Sequence, residues 1–359
     1  MARRILFLSS PVAPIGAGEG GGVDTTLRQL APALVRRGHT VAIIGPEGSV
    51  LPEGPALYPV AGSHPANATT APRDFPVSVA SDGVLENMWR SAQRLQKSYD
   101  VIVGMTYDWL SYYLTPFFCT RLVHWVTITS TIEAVDRELA RGYRERPGDF
   151  AFYSRAQAST FPFVDGRSAR IIPGAVDLER FAFHEHASPA LVWAARISPE
   201  KGLEDAVRVA KRLGISLHVC GKIQDESYWQ AVQRSAGPGV IVYHGFLPHD
   251  RLCQILGTAM AMLVTPKWVE AFGFTVVEAL ACGTPVVAYD QGGPAEIVED
   301  GRSGYLVPPG DLDAMVEAVR RIHALRRSDA RLRAEEYSVD RLVGRVEDWL
   351  EMVLGHALK

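Results

Sequence analysis

A regular alternation of short apolar runs with helical patterns constrains the fold more than any other feature of the sequence. In the first half, an apolar run over residues 4–10 precedes a helical pattern over 24–37 and another apolar run over 40–45. The second half repeats this order, with an apolar run over 190–194 and a helical pattern over 203–213. Strand, helix and strand in succession predict a parallel sheet covered by helices. We therefore predict an α/β protein with two doubly wound sheets.

Length and composition predict two domains. The chain has 359 residues, of which 47% are apolar, and this is enough for two hydrophobic cores. The composition turns polar over residues 184–188, just before the apolar run of the second half. We place the first domain at residues 1–175 and the second at residues 185–338.

Charge and cysteine spacing exclude several classes of protein. A net charge of −3 argues against a nucleic-acid partner. The apolar run after the two N-terminal arginines is too short for a signal peptide, and no stretch reaches transmembrane length, so we expect a cytoplasmic protein. The four cysteines form no C-x-x-C pair, so we expect neither a metal site nor a disulfide framework. They are Cys119, Cys220, Cys253 and Cys282.

The stretch over residues 265–299 contains two candidate functional glutamates and a predicted helix start. Glu270 follows an apolar run, and Gly273 precedes a helical pattern over residues 275–282 that carries Glu278. A helix start after a glycine offers unpaired N–H groups to an anionic or hydroxyl-rich ligand. Glu278 could accept two hydrogen bonds from a vicinal diol such as ribose. The alternative is a charged residue that faces solvent, although a carboxylate among Val and Ala neighbours is seldom left unpaired.

Two cations follow the first apolar run of the second half. Arg196 and Lys201 lie in the loop beyond that predicted strand, where open α/β sheets bind ligands. The pair suits a diphosphate, because Arg binds oxygen pairs and Lys supplies a point charge. Surface salt bridges are the alternative for either residue.

The loop after the first predicted strand is rich in glycine. Residues 16–21 match G-x-G-x-x-G, but about five loop residues separate the match from the strand, which argues against a dinucleotide site. The second strand also ends without an acidic residue. We instead expect Gly21 and Gly22 to let the backbone approach a phosphate at a helix start.

The spacing of Glu270 and Glu278 in EAFGFTVVE resembles the paired glutamates of the family 4 retaining glycosyltransferases. Residues 196–202 and 292–298 resemble other patterns of that family, in the same order. The resemblance implies a GT-B fold, in which two Rossmann-like domains with parallel sheets face an interdomain cleft. It also implies that residues 170–181 link the domains and that a C-terminal helix over 340–359 crosses back to the first domain.

The same resemblance implies metal-independent transfer, without a cofactor, from a UDP-sugar bound by the carboxy-terminal domain. Glu270, Arg196 and Lys201 would act at the reacting sugar phosphate, and Glu278 would hold the ribose. The departing phosphate oxygen would take the proton of the acceptor hydroxyl. The other donor-binding residues would be Gly21, Gly22, Phe272, Gly273, Phe274, Gly245, Phe246 and Leu247.

An aromatic-rich stretch over residues 107–118 bears on the acceptor. Together with residues 157–163 and 265–273, it resembles the cyanobacterial UDP-glucose:tetrahydrobiopterin glucosyltransferases of this family. We expect Tyr107 and Trp109 to stack on a pterin and Asp108 to bind its guanidine-like edge, with formation of a pterin α-glucoside. Core packing is the alternative for these side chains.

One family residue has no counterpart in the sequence. A histidine near the end of the strand over residues 122–127 often contacts the donor sugar in the family, and Thr127 aligns with it here. We include Thr127 in the acceptor site and expect His124, inside the strand, to be a core residue.

Other functions remain open on the sequence alone. The acceptor could be a lipid or a glycan instead of a small molecule, or the chain could be an epimerase or a UDP-sugar binder without transfer. The last two predicted helices span residues 312–327 and 339–354. The first of them carries a basic run over residues 320–327, which is compatible with membrane docking, but we favour a solvated helix face and expect no stable membrane association. The sequence leaves the oligomeric state open.

Overall fold

The computed structural model describes residues 1–17, 21–65, 72–78 and 80–355. It divides into two compact units. Unit 1 comprises Met1–Ala175 and Val339–Lys359, and unit 2 comprises Val176–Ser338. Each unit contains a parallel sheet with helices, as the alternation of apolar runs and helical patterns predicted.

Within the described residues, unit 1 forms a seven-stranded sheet in the order β3-β2-β1-β4-β5-β6-β7. All of its paired strands are parallel. Its strands are β1 (Arg4–Leu8), β2 (Thr40–Pro46), β3 (Ala56–Val60), β4 (Val101–Gly104), β5 (Arg121–Val126), β6 (Phe150–Phe152) and β7 (Arg170–Ile171). Its helices are α1 (Gly21–Arg36), α2 (Val84–Leu95), α3 (Trp109–Leu114), α4 (Glu133–Glu145), α5 (Arg155–Ala158) and, at the end of the chain, α13 (Val339–Gly355).

Unit 2 forms a six-stranded parallel sheet, counted over the described part of the chain, in the order β10-β9-β8-β11-β12-β13. Its strands are β8 (Leu191–Ala194), β9 (Leu217–Cys220), β10 (Ile241–Gly245), β11 (Ala261–Val264), β12 (Val286–Tyr289) and β13 (Gly304–Val307). Its helices are α6 (Leu203–Leu213), α7 (Glu226–Ala236), α8 (His249–Thr258), α9 (Phe274–Ala281), α10 (Gly292–Ile297), α11 (Leu312–Arg320) and α12 (Arg327–Glu335).

The final helix, α13, packs against α1 in unit 1, in agreement with the expected return of the chain to its first domain. Glu347 of α13 pairs with Arg37 at 2.7 Å and with His39 at 3.0 Å. The indole of Trp349 is buried and donates to the carbonyl oxygen of Gly148 over 2.8 Å. Apolar packing and these polar contacts together attach α13 to unit 1.

The prediction of one continuous helix over residues 312–327 is wrong. Helix α11 ends at Arg320, a short 3₁₀ turn spans Ile322–Ala324, and α12 begins at Arg327. Val339 begins the next helix, so α12 fills a segment that the sequence analysis left without structure. Basic side chains favour a helix in this region, but the break places Arg327 at the start of a different helix.

Arg327 is a structural residue and not part of a solvated face. Its guanidinium donates to three carbonyl oxygens, those of His184 at 2.6 Å, Gly257 at 2.5 Å and Ala259 at 2.9 Å. It also donates to Oγ1 of Thr284 over 2.7 Å. Four acceptors therefore depend on a single partly buried cation.

In the part of the chain that the structure describes, no helix is both long enough and apolar enough to cross a membrane.

We expect Arg327→Met to lower the free energy of unfolding by about 3 kcal/mol, because it leaves buried acceptors without a donor. Urea unfolding followed by circular dichroism measures the change. Arg320→Met is the matched control, since Arg320 is exposed and its pair with Glu317 spans 3.7 Å. The control should change stability by no more than about 0.5 kcal/mol. Equal effects of the two substitutions would contradict the structural role of Arg327.

Candidate functional site

The candidate donor site lies at the carboxyl-terminal edge of the unit 2 sheet. The loop after β8 carries Arg196 and Lys201, and the loop after β11 carries Glu270. These loops emerge side by side because β8 and β11 are neighbouring parallel strands. Nζ of Lys201 forms an ion pair with Oε2 of Glu270. Residues that we selected from separate motifs therefore meet in one site.

Backbone contacts hold the two loops against each other. Gly202 has a φ of 66°, and a Cβ there would collide with the carbonyl oxygen of Thr265. Thr265 Oγ1 donates to the carbonyl oxygen of Gly202 over 2.8 Å, and the amide of Lys267 donates to the carbonyl oxygen of Glu200 over 2.8 Å. Only glycine meets both demands at position 202, a positive φ and no side chain. This close approach brings Lys201 within reach of Glu270.

Glu270 is held in its charged form. Burial raises the pKa of Glu270, and the charge and hydrogen bond of Lys201 act against this effect. Nε1 of Trp268 donates to Oε2 of Glu270 over 3.2 Å and also lowers this pKa, as does the charge of Arg196. The net pKa lies below the ordinary value. The site thus combines an ionised carboxylate with two cations.

Arg196 lies in the same loop as Lys201 but makes different contacts. Its guanidinium donates to the side chain of Gln224 and lies 3.5 Å from Oε1 of Glu200. Ser198 also donates to that oxygen over 2.7 Å. The salt bridge that we considered as an alternative is therefore present. The side chain remains 37% exposed, and its contact with a diphosphate stays a prediction.

Gly273 turns the chain from the Glu270 loop into α9. It has φ 108° and ψ 61°, a left-handed conformation that favours glycine. The amide of Gly293 donates to the carbonyl oxygen of Glu270 over 2.7 Å, and a Cβ on Gly293 would lie 2.5 Å from Cα of Phe272. Phe272 is buried and packs edge to face with Phe274 at 4.9 Å. The packing of the start of α10 thus positions the loop and the start of α9.

Glu278 lies on α9 in a different environment. Burial raises the pKa of Glu278 to about 7, although the nearby charge of His249 lowers it in part. Among the described residues, no donor forms a hydrogen bond to the carboxyl group of Glu278. A partly buried carboxyl group without a partner is available to a ligand.

The surroundings of Glu278 include residues that the sequence analysis missed. Nε2 of His249 lies 3.2 Å from Sγ of Cys253 and 3.0 Å from the carbonyl oxygen of Arg180. These residues influence the pKa of Glu278 through their charges. The four-residue spacing of His249 and Cys253 on α8 is a signal that could have linked them to each other. No sequence pattern links them to α9.

The end of β10 contributes the predicted base-binding residues. Gly245 closes the strand with a φ of 72°, and its carbonyl oxygen accepts a hydrogen bond of 2.8 Å from the amide of Gly221. Phe246 is 63% exposed, whereas Leu247 is partly buried. An exposed ring at this edge of the sheet is compatible with contact to a flat base. The role itself stays a prediction.

The glycine-rich loop of unit 1 is described only in part. Residues 18–20 of the G-x-G-x-x-G match lie outside the described residues. Helix α1 begins at Gly21, which has a φ of 61°, and the carbonyl oxygen of Gly22 accepts a hydrogen bond from Thr26 Oγ1 over 2.8 Å. Both glycines therefore lie at a helix start, as expected. Their binding of phosphate stays a prediction.

Unit 1 contains a cavity of about 240 Å³. Its lining includes the four residues that we selected for the acceptor, together with Glu86. The four are Tyr107, Asp108, Trp109 and Thr127. The structure thus brings the selected residues together around a space that can hold a small molecule. Whether an acceptor binds there stays a prediction.

The polar groups that line this cavity differ in the hydrogen bonds that they already make within the protein. The hydroxyl group of Tyr107 donates to Asp136 over 2.6 Å, so this donor is already used within the protein. One oxygen of Asp108 accepts a 2.8 Å hydrogen bond from the amide of Leu110 and caps α3. Burial raises the pKa of Asp108 to about 6, and the negative charge of Glu86 adds to this effect. A hydrogen-bond donor bound in the cavity would stabilise the ionised carboxylate of Asp108 and lower its pKa.

His124 is a core residue, as we expected. It is 1% exposed, its Nε2 lies 2.8 Å from Oγ1 of Thr115, and its ring stacks on Phe150 at 5.2 Å. Burial lowers the pKa of His124 to about 3. Thr127, directly after β5, lines the cavity. Its alignment with the histidine of the family stays a prediction.

The aromatic stretch divides into core and surface. Tyr112 is buried, as core packing requires. Trp109 stacks on Tyr113 with ring centroids 4.6 Å apart, and Tyr113 lies 5.6 Å from Phe117. Tyr113 and Phe117 are 42% and 60% exposed. Stacking is therefore available at the surface, and core packing explains only part of this stretch.

We expect Asp108→Asn to stabilise the protein at pH 8 by about 2 kcal/mol and to leave its stability at pH 4 nearly unchanged. The pKa of Asp108 is higher in the folded state than the ordinary 3.8, so the wild type loses stability as the pH rises through 4 to 6. Asn keeps the helix cap but carries no charge. Urea unfolding at both pH values measures the difference.

Asp225→Asn is the control, because Asp225 also caps a helix. Hydrogen bonds from the amide of Tyr228 and from Ser227 lower the pKa of Asp225, so its neutralisation should give no gain at pH 8. A gain of equal size at both pH values for Asp108→Asn would contradict the raised pKa.

Comparison with known proteins finds similarity to glycosyltransferases. The family model "Glycosyl transferases group 1" matches residues 178–340. A 2-deoxystreptamine N-acetyl-D-glucosaminyltransferase of Streptomyces fradiae is 34% identical over 36% of this chain and 32% of its own length. The chain thus covers about a third of that relative. A D-inositol 3-phosphate glycosyltransferase of Geodermatophilus obscurus is 28% identical over 95% of this chain and 87% of its own length.

Solved structures give the same fold over the whole chain. The sucrose-phosphate synthase of Thermosynechococcus elongatus has a TM-score of 0.78 at 18% identity, and the comparison covers 99% of this chain and 100% of that one. Anabaena Alr3699/HepE in complex with UDP and glucose has a TM-score of 0.74 at 17% identity, covering 98% and 100%. Residues 178–340 therefore match the model of the group 1 glycosyl transferases, and the chain has the fold of the GT-B glycosyltransferases, with two Rossmann-like units of parallel sheet.

Proposed function

We propose that the protein is a metal-independent, retaining glycosyltransferase that moves glucose from UDP-glucose to a small acceptor. The observation that carries this proposal is the contact of Lys201 with Glu270 beside the glycine-capped start of α9. The site joins a cation, an ionised carboxylate and the N-terminus of a helix at the ligand-binding edge of a parallel sheet. A solved structure of the same fold, Anabaena Alr3699/HepE, is in complex with UDP and glucose.

The charges suit departure of a diphosphate. The leaving group carries negative charge, which Lys201 and Arg196 would stabilise at the edge of the sheet. The N-terminus of α9 adds a partial positive charge, and in this proposal the transfer requires no metal ion. In this proposal, the acceptor hydroxyl gives its proton to the departing phosphate oxygen while its own oxygen bonds to the anomeric carbon on the same face. Glu270 positions the sugar hydroxyls and makes no covalent bond.

Glu278 would bind the ribose. Its carboxyl group has no hydrogen-bond partner among the described residues, and its position on α9 is one to two helical turns beyond the start of the helix. Two hydroxyl donors would favour the ionised carboxylate, which burial disfavours in their absence. The exposed ring of Phe246 would flank the base.

For the acceptor, we propose tetrahydrobiopterin and formation of its α-glucoside. The support is the cavity of unit 1, where Asp108 and Glu86 place carboxylates near the aromatic rings of Tyr107 and Trp109. A pterin is flat and has a guanidine-like edge, which a carboxylate binds through two parallel hydrogen bonds. The cavity of about 240 Å³ leaves room for a small molecule between these side chains.

We expect Glu278→Ala to weaken UDP binding about 10- to 100-fold, because two hydrogen bonds to a charged group are lost. Glu270→Ala should change UDP affinity by less than about threefold and lower turnover about 100-fold or more. Isothermal titration calorimetry with UDP and an assay of UDP release measure the two effects. The variants serve as controls for each other, since both replace a glutamate of the same motif. Equal and negligible effects would contradict these roles.

We expect the purified enzyme to convert tetrahydrobiopterin and UDP-glucose to an α-glucoside, and Asp108→Asn to raise the KM for the pterin about 10-fold or more. Chromatography of the products and NMR of the anomeric proton measure this. Glycosylation of a glycan or lipid with the pterin unmodified would overturn the acceptor but not the transfer reaction. UDP binding without transfer to any acceptor tested would overturn transfer itself.

A further inference from the structure

The carboxylate of Glu270 is used asymmetrically. Both contacts that hold it, the ion pair with Lys201 and the hydrogen bond from Nε1 of Trp268, go to Oε2. Oε1 has no hydrogen-bond or ion-pair partner in the described part of the chain. The side chain is 22% exposed, so this oxygen is accessible to a ligand. One oxygen is therefore committed to the protein and the other is free.

Trp268 contacts both members of the ion pair. Its indole N–H donates to Glu270 over 3.2 Å, and Nζ of Lys201 lies 4.9 Å from the centroid of the indole ring. A cation over an indole face is attracted by the ring, and the N–H group is the only polar donor of the side chain. Trp268 therefore orients both the carboxylate of Glu270 and the ammonium group of Lys201.

Trp268 itself is held by its neighbour. Lys267 forms an ion pair with the buried carboxylate of Asp205, and its amide donates to the carbonyl oxygen of Glu200 over 2.8 Å. The hydroxyl group of Tyr289 donates to the same Asp205 oxygen over 2.6 Å. These contacts attach the Trp268 segment to the first turn of α6 and to the end of β12. The contacts of Lys267 with Asp205 and with Glu200 thus hold the backbone that carries the indole.

We propose that Trp268 is a positioning residue of the donor site, which keeps Oε2 of Glu270 on Lys201 and leaves Oε1 for a hydroxyl of the donor sugar. This inference rests on the proposed function. Without the indole N–H, the carboxylate can rotate and use both oxygens on the ammonium group of Lys201. Such rotation would withdraw Oε1 from the sugar.

The proposal predicts a separation of UDP binding from sugar transfer. UDP lacks the sugar, so its affinity does not depend on Oε1 of Glu270. Turnover of UDP-glucose and the discrimination between UDP-glucose and its C4 epimer UDP-galactose do depend on it. The acid limb of the pH–rate profile adds an independent readout. Because the N–H of Trp268 lowers the pKa of Glu270, its removal should move that limb to higher pH.

The test compares Trp268→Phe, which keeps a ring under Lys201 but removes the N–H, with Trp268→Leu, which removes both. We expect Trp268→Phe to keep UDP affinity within about twofold, to lower kcat about 10-fold and to reduce the preference for UDP-glucose over UDP-galactose. We expect Trp268→Leu to lower kcat further. Trp229→Phe is the matched control and should change neither kcat nor the preference, because Trp229 lies in the same unit but packs against Tyr243, with ring centroids 4.8 Å apart.

The outcomes are distinguishable. Melting temperatures of all variants, with and without UDP, show whether each is folded and binds the nucleotide. Trp268→Phe with kcat, sugar preference and acid limb all unchanged would overturn the positioning role while the proposed function stands. Loss of UDP binding in Trp268→Phe would also overturn it, since the indole would then act on the nucleotide. A wild-type enzyme that fails to bind UDP would overturn the proposed function itself.

Discussion

The ion pair between Lys201 and Glu270 is the interaction on which the functional interpretation depends. It forms because two loops of unit 2 approach so closely that position 202 admits only glycine. The amide of Gly293 holds the carbonyl oxygen of Glu270 from the other side. The sheet supplies the common edge, the glycines allow the approach, and the pair then places opposite charges next to the start of α9. Loss of any of these features would separate the charges.

The candidate sites of the two units suit ligands of different chemistry. In unit 2, the candidate site is an edge with cations, a carboxylate and helix amides, which suits a charged donor. In unit 1, the candidate site is a cavity with aromatic rings and the carboxyl group of Asp108, whose pKa burial raises. That environment suits a flat acceptor with hydrogen-bond donors. The difference follows from chemistry, since phosphate requires positive charge and a ring requires stacking.

Much of the fold could be predicted from local patterns. The helix Leu203–Leu213 has the bounds that its apolar spacing predicted, because it buries one face on the sheet. The predicted helix over residues 312–327 was wrong, because its break depends on Arg327 and on acceptors far away in sequence. His249 and Cys253 beside Glu278 were missed for a similar reason, since they belong to a different helix.

By itself, the sequence determined the alternation of strands and helices, the glutamates at positions 270 and 278, and the glycine before α9. These are properties of spacing and residue type within short segments. Only the tertiary structure decided that Lys201 reaches Glu270 and that Trp268 contacts both. The physical reason is that hydrogen bonds and ion pairs act over a few ångströms in space, whatever the separation along the chain.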